Sequence, residues 1–193
     1  MKQLTRADIL ENKDYLQIRN QRRSEMIELK KKRRIQVGPR ISFTFENRET
    51  VAYQIQEMMR VEYITDPERI QFEIDVYNDL IPQPGSLSAT LFIEISDSSQ
   101  IRTVLDSLQG LDAPDTVVIT IGEDKVFAEF EPGHSKEDRI SAVHYVRFLL
   151  TPDQIRRFLE SQVEIRIKHP AYTAVAALMR EQKEQLSSDL TRQ

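Results

Sequence analysis

The sequence predicts an α+β fold: one domain in which about six strands form a largely antiparallel, or mixed, sheet with helices packed on it and a basic helix at the N-terminus. Three observations carry this expectation. "SLSATLFIEI" sets Leu87, Ala89, Leu91, Ile93 and Ile95 on one side of an extended chain, the period-two pattern of a half-buried strand. "DTVVITIG" and "KVFAEFE" flank a Gly122-Glu123-Asp124 turn and read as a hairpin, so at least one strand pair is antiparallel. Between the strands lie segments with helical spacing and recognisable N-caps.

Taken in order, Thr5 with Asp8 starts a short helix, and "DYLQIRNQRRSEMIELKKKRR" reads as a longer one. Its apolar stripe is narrow (Tyr15, Ile18, Met26, Leu29), and its cations gather at the C-terminal end, where they complement the helix dipole. Gly38-Pro39 stops it, because proline disfavours helix in the preceding residue. "ISFTFE" alternates Ile41, Phe43 and Phe45 as a strand, and Asn47 caps the helix that follows. Asp66-Pro67 starts "PERIQFEIDVYNDL", which ends before Pro82, Pro84 and Gly85. After the strand at Leu87–Ile95, Asp97 with Gln100 caps a helix carrying Ile101, Val104, Leu105 and Leu108, and Gly110 closes it. "SAVHYVRFLL" is apolar on both faces and belongs in the middle of a sheet. Thr151-Pro152-Asp153-Gln154 is a capping box with proline at the first helical position. "VEIRIKH" alternates again, and "TAVAALMREQKEQLSSDL" reads as a C-terminal helix loosening toward Gln193. The domain therefore divides into a helical arm or outer layer over residues 1–37, an α+β core over 38–176 and a terminal helix over 177–193.

Composition narrows the chemistry. With no cysteine among 193 residues, there is no disulfide, no thiolate nucleophile and no cysteine-ligated zinc or iron–sulfur centre. Five glycines leave little for phosphate loops, and neither a Walker-type nor a dinucleotide-binding glycine pattern occurs. Glu131-x-x-His134 has metal-ligand spacing, but Pro132 and Gly133 inside it rule out the helix that spacing needs. The first residues, "MKQLTRADIL", lack the apolar core of a secretory leader, and no apolar run approaches the roughly 20 residues that span a bilayer. The expected location is cytoplasmic, with no membrane partner.

Charge is unevenly placed. Arg19 to Arg40 holds nine cations and two anions, a segment charge of +7 that leaves −11 on the rest of a chain whose total is −4. Lys30, Lys31, Lys32, Arg33 and Arg34 form a candidate interaction patch for an acidic partner, or else complement the acidic body of the same domain. Nucleic acid is not the expected partner, since no second basic patch and no interleaved aromatics accompany the cluster.

The helix "FENRETVAYQIQEMMRVE" carries the densest polar chemistry. Wound at 3.6 residues per turn, it sets Val51, Ala52, Ile55, Met58 and Met59 on a core face. Glu49, Tyr53, Gln56 and Arg60 line up on the other, with Glu57 beside them. That stripe is either an ordinary solvated helix face or the polar wall of a cleft. In the second case Glu49 and Glu57 act as bases or ligands, Arg60 clamps an anion, and Tyr53 and Gln56 orient it. His144 is in phase with Val146 and Phe148, and His169 with Ile165 and Ile167, so both point inward. Each is either a core histidine satisfied by one hydrogen bond or one member of a convergent site, with Tyr172 closing the same pocket. No cofactor is predicted; a divalent metal, if bound, takes its ligands from Glu49, Glu57, His144 and His169.

"RIQVGPRISFTFENRETVAYQIQEMMRVE", "LSATLFIEI", "SAVHYVRF" and "HPAY" resemble an uncharacterised bacterial family of unknown function, over Leu4 to Leu190. The resemblance implies gene company with rubrerythrin-like proteins and iron–sulfur oxidoreductases, and through it a part in redox or peroxide stress. It carries no established activity or site. Together these readings point to a non-catalytic accessory or interaction protein with a protein partner of that kind, homo-oligomerisation being open. The alternative is a small enzyme built on the helix carboxylates and strand histidines.

Overall fold

The computed structural model describes residues 1–133, 135–136 and 139–191; His134, residues 137–138 and the last two residues lie outside the described residues. A single 3₁₀ turn at Arg6–Asp8, where Thr5 donates to the Asp8 carboxylate, leads into α1 (Asn12–Arg33). The chain continues through β1 (Arg34–Val37), β2 (Ile41–Phe45), α2 (Arg48–Val61), α3 (Pro67–Asn78), β3 (Ser86–Ile93) and α4 (Ile101–Ser107). It then runs through β4 (Val117–Ile121), β5 (Asp124–Phe127), β6 (Glu129–Phe130), β7 (Ser135–Lys136), β8 (Arg139–Ile140) and β9 (Val143–Leu149). The last elements are α5 (Pro152–Arg157), β10 (Val163–His169), β11 (Tyr172–Ala177) and α6 (Arg180–Thr191).

The strands are antiparallel, as expected, but divide over two main sheets: β1-β2-β3-β9-β6 and β11-β10-β4-β5, with β7-β8 as a separate ribbon. The division falls inside the stretch read as one strand, "KVFAEFE". β5 pairs with β4 in the second sheet, whereas β6, beyond Ala128, pairs with β9 in the first. The inner faces of both sheets share one apolar core: Phe43, Leu91 and Phe148 from the first meet Ile119, Ile165 and Phe158. A second cluster, built by Val51, Ile55, Met59, Ile70 and Ile74 with Tyr145 against it, lies under α2 and α3. Those helices explain why Ser86, Ser88 and Thr90, the polar side of the β3 alternation, are buried rather than wet.

The capping residues act where expected: Asn47, Asp66 and Thr151 accept from the amides of Thr50, Arg69 and Gln154. Two segments read as helix are strands. Arg34–Val37 leaves α1 and pairs with β2, Ile35 and Val37 entering the core. Tyr172–Ala177 pairs with β10, and α6 begins only at Arg180. Gly38-Pro39 is accordingly a hairpin turn rather than a helix stop. Tyr172 pins that hairpin: its Oη donates to the Val37 carbonyl (2.6 Å) and accepts from the Arg40 amide (3.1 Å).

Gly38 has φ +71°, and a Cβ there would lie 2.5 Å from Tyr172 Oη and 2.9 Å from Ala174 Cβ. Gly38→Ala is therefore expected to cost about 1–3 kcal/mol through backbone strain, with the clash adding to it. Urea unfolding checks this; a loss below about 0.5 kcal/mol, the ordinary surface value, would mean that the hairpin simply relaxes.

Candidate interaction site on the basic helix

α1 docks on its own domain through two devices, one half-buried and one buried. Near its N-terminal half, Glu57 of α2 accepts from Tyr15 Oη (2.7 Å) and Arg19 Nε (2.8 Å) on one oxygen. Arg19 Nη2 (2.9 Å) and Arg60 Nη2 (2.9 Å) bind the other. The Arg19 guanidinium first, then Arg60 and Tyr15, hold the Glu57 carboxyl down at about 2, against the opposing effect of burial. Burial, with Glu57 beside it, pushes the Tyr15 phenol up. At its C-terminus Arg33 turns inward, 1% exposed, and pairs with Asp189 of α6, also 1% exposed. Arg33 also donates to the carbonyls of Phe45 (2.7 Å) and Glu46 (3.0 Å).

Because the Glu57 carboxyl is held near 2 in the folded chain and rises to the ordinary 4.5 on unfolding, its contribution is present in full above that ordinary value. It is lost as pH falls through the folded value. Glu57→Gln is expected to be less stable than wild type at neutral pH, with the gap closing as pH drops from about 4.5 toward 2. Thermal melts of both proteins across that range check it, and a pH-independent gap would refute the assignment.

The other residues of the α2 stripe separate. Gln56 is buried, its amide donating to Leu10 O (2.9 Å) and accepting from Leu10 N (2.9 Å), so it fixes the N-terminal segment. Glu49 is exposed and lines a mixed-charge cleft of about 400 Å³ with Arg22, Glu25 and Arg48. Arg60 is held by Glu57, and Tyr53 sits under the Lys30 ammonium, 5.8 Å from the ring centroid.

The histidines lie in different sheets. His144 on β9 is buried, its Nε2 2.8 Å from Ser141 O and its ring edge-on to Phe130. His169 at the end of β10 has Nε2 2.8 Å from Gln109 O, while Nδ1 accepts from Ala171 N (3.2 Å). With Nδ1 an acceptor, the ring carries its proton on Nε2. Both point inward, and each is bonded to backbone. Among the described residues no group of three or more His, Asp or Glu is placed to hold a metal ion.

What the seam between α1 and α2 does offer is a second cleft of about 400 Å³, sharing Met26 and Tyr53 with the first. Arg23, Lys30, Lys31 and Arg34 wall it; Met26, Ile27 and Tyr53 form its floor, and no acidic side chain lines it. Arg23, Ile27 and Lys30 stand at i, i+4 and i+7 on one face of α1, and Arg34 follows at the start of β1, an arrangement that a count of clustered charges passes over. Two of its cations are paired from outside, Lys31 by Glu28 (2.6 Å) and Arg34 by Glu94 (2.5 Å), and Lys30 lies over the Tyr53 ring of the floor. Of the five-residue basic cluster, Lys32 faces away to Glu181 (2.8 Å) and Arg33 is in the core. No helix among the described residues is long and apolar enough to cross a membrane.

The comparisons with known proteins agree with the fold. A chain from Burkholderia pseudomallei K96243, solved as a novel protein of unknown function, is 31% identical, with a TM-score of 0.91 over 98% of this chain and 100% of that one. No curated protein matches this one. The family described as "Protein of unknown function (DUF3501)" matches residues 3–190, and the chain belongs to it.

Proposed function

We propose that this chain is a non-catalytic accessory protein that docks an acidic protein partner in the cationic cleft of α1. The carrying observation is the lining itself: four cations around an apolar and aromatic floor, with no carboxylate among them. Such a wall attracts an acidic segment at long range, and Met26, Ile27 and Tyr53 then give it apolar surface to bury. The cations are partly held by neighbouring groups, which lowers the ordering cost of binding. The partner class comes from the gene company that the family resemblance implies: an iron–sulfur oxidoreductase or a rubrerythrin-like protein of a bacterial redox or peroxide-stress system. The test is a binding titration of each purified candidate from the same bacterium against wild type and an Arg23→Gln/Lys30→Gln/Lys31→Gln/Arg34→Gln variant. Binding by one candidate that the variant loses supports the reading. No binding by either, or binding indifferent to the four charges, overturns it.

A further inference from the structure

α2 packs against both α1 and α3, and the outer face of α3 is opposite in charge to the basic helix. Ile70, Ile74 and Asn78 turn α3 inward. Wound at 3.6 residues per turn, Phe72 and Val76 fall on the far side of the helix, one turn apart. They are 64% and 50% exposed. Glu68, Asp75 and Asp79, all exposed, flank them at i−4, i+3 and i+7 from Phe72. From Glu62 to Asp79 the chain carries six carboxylates (Glu62, Asp66, Glu68, Glu73, Asp75, Asp79) against one cation, Arg69, a segment charge of −5. Arg69 is paired with Glu62 (3.9 Å), and among the described residues no ion pair takes up Glu68, Asp75 or Asp79.

The corner that leads into α3 adds an aromatic ring. Tyr63 follows α2 at φ +53°, in the left-handed region that favours glycine, and the next amide, Ile64 N, closes on the Met59 carbonyl (2.9 Å). The ring is 85% exposed, so its own fold gives it no burial in return for that backbone conformation. A convex helix face suits a macromolecule rather than a small ligand, whose sites are concave. Nucleic acid and anionic lipid meet these carboxylates as like charges, and so does the α3 face of a second copy. A basic amphipathic helix complements both parts of the face. Its apolar residues, one turn apart, pack on Phe72 and Val76, and its flanking lysines or arginines meet Glu68, Asp75 and Asp79.

We propose that the outer face of α3, with Tyr63 at its head, docks a basic amphipathic helix of a protein partner. The experiment is a fluorescence-anisotropy titration of the full chain, at low ionic strength, with a labelled peptide of lysine, alanine and leucine whose leucines lie one helical turn apart. A peptide of the same composition, its leucines scattered around the helix, reports attraction by charge alone. The amphipathic peptide should bind at least about tenfold more tightly than the scattered one. Phe72→Ser/Val76→Ser should remove that difference, and Glu68→Gln/Asp75→Asn/Asp79→Asn should weaken both peptides, with far-UV circular dichroism unchanged in each variant. Tyr63→Gly should raise the melting temperature, because glycine takes the left-handed conformation freely, and yet weaken the amphipathic peptide. Equal binding of the two peptides overturns the proposal, as does unchanged affinity in any of the three variants. A dimer of the chain, seen by sedimentation and dissolved by Phe72→Ser/Val76→Ser, gives the face to a second copy and overturns it as well.

Discussion

Arg33→Ala is expected to remove about 3–5 kcal/mol of folding stability, the usual cost of breaking a buried ion pair by deleting one partner. Arg33 and Asp189 are each 1% exposed, so no water replaces the lost guanidinium. The substitution leaves the Asp189 charge and the carbonyls of Phe45 and Glu46 without this donor. It also severs the link between the end of α1, the end of β2 and the last turns of α6. For a domain whose total stability is of order 5–15 kcal/mol, this is a large fraction. Asp189→Asn keeps an acceptor and should cost less. The double replacement Arg33→Met/Asp189→Leu should recover most of the loss, because two matched apolar groups bury without desolvating a charge. Guanidinium unfolding midpoints of the four proteins check the series; a loss under about 1 kcal/mol for Arg33→Ala would show that water reaches the pair.

The second large effect concerns association. Replacing Arg23, Lys30, Lys31 and Arg34 with glutamine should slow association with an acidic partner at least about tenfold at low ionic strength, because charge steering commonly contributes 10–10³ in rate. Wild-type association should fall as salt rises past about 0.1 M, where the screening length shrinks to about 10 Å, while the variant's rate stays nearly flat. Tyr53→Ala should act differently, raising dissociation with little change in the association rate, since it removes buried contact rather than field. Stopped-flow rates at several salt concentrations separate the two. These four cations face solvent or surface partners, so folding should survive their replacement, whereas including Arg33 would confound binding with unfolding.

Much of the fold could be read from local chemistry, and what escaped was pairing. Asn47, Asp66 and Thr151 announce helix starts because their side chains satisfy the free amides of the first turn, whatever the chain does elsewhere. β3 announces itself by alternation. By contrast, "YTAVAA" is Ala-rich and favours helix intrinsically, yet β10 offers it a full antiparallel ladder from Glu164 to His169, and the ladder wins. "RIQV" follows four consecutive cations of a helix, so its alternating Ile35 and Val37 were masked by the charge run. The crossing at Ala128 leaves no local mark, because a sheet change is decided by partners far along the chain. The candidate site behaves likewise. Winding α2 separates its polar stripe, but only tertiary contacts reveal that Glu57 is saturated by Tyr15, Arg19 and Arg60 and that Gln56 is buried against Leu10. Inward histidines could be read from phase; their backbone carbonyl partners, Ser141 and Gln109, could not.

The most direct test of the docking account is amide chemical-shift mapping of the ¹⁵N-labelled chain titrated with an acidic peptide that carries one aromatic residue. The account predicts saturable shifts confined to the stretch from Arg23 to Arg34 and to Tyr53 with its neighbours on α2, abolished in the four-glutamine variant. Shifts centred instead on the open face of the second sheet, where Lys125, Arg166 and Lys168 also present cations, or no saturable shifts at all, would contradict it.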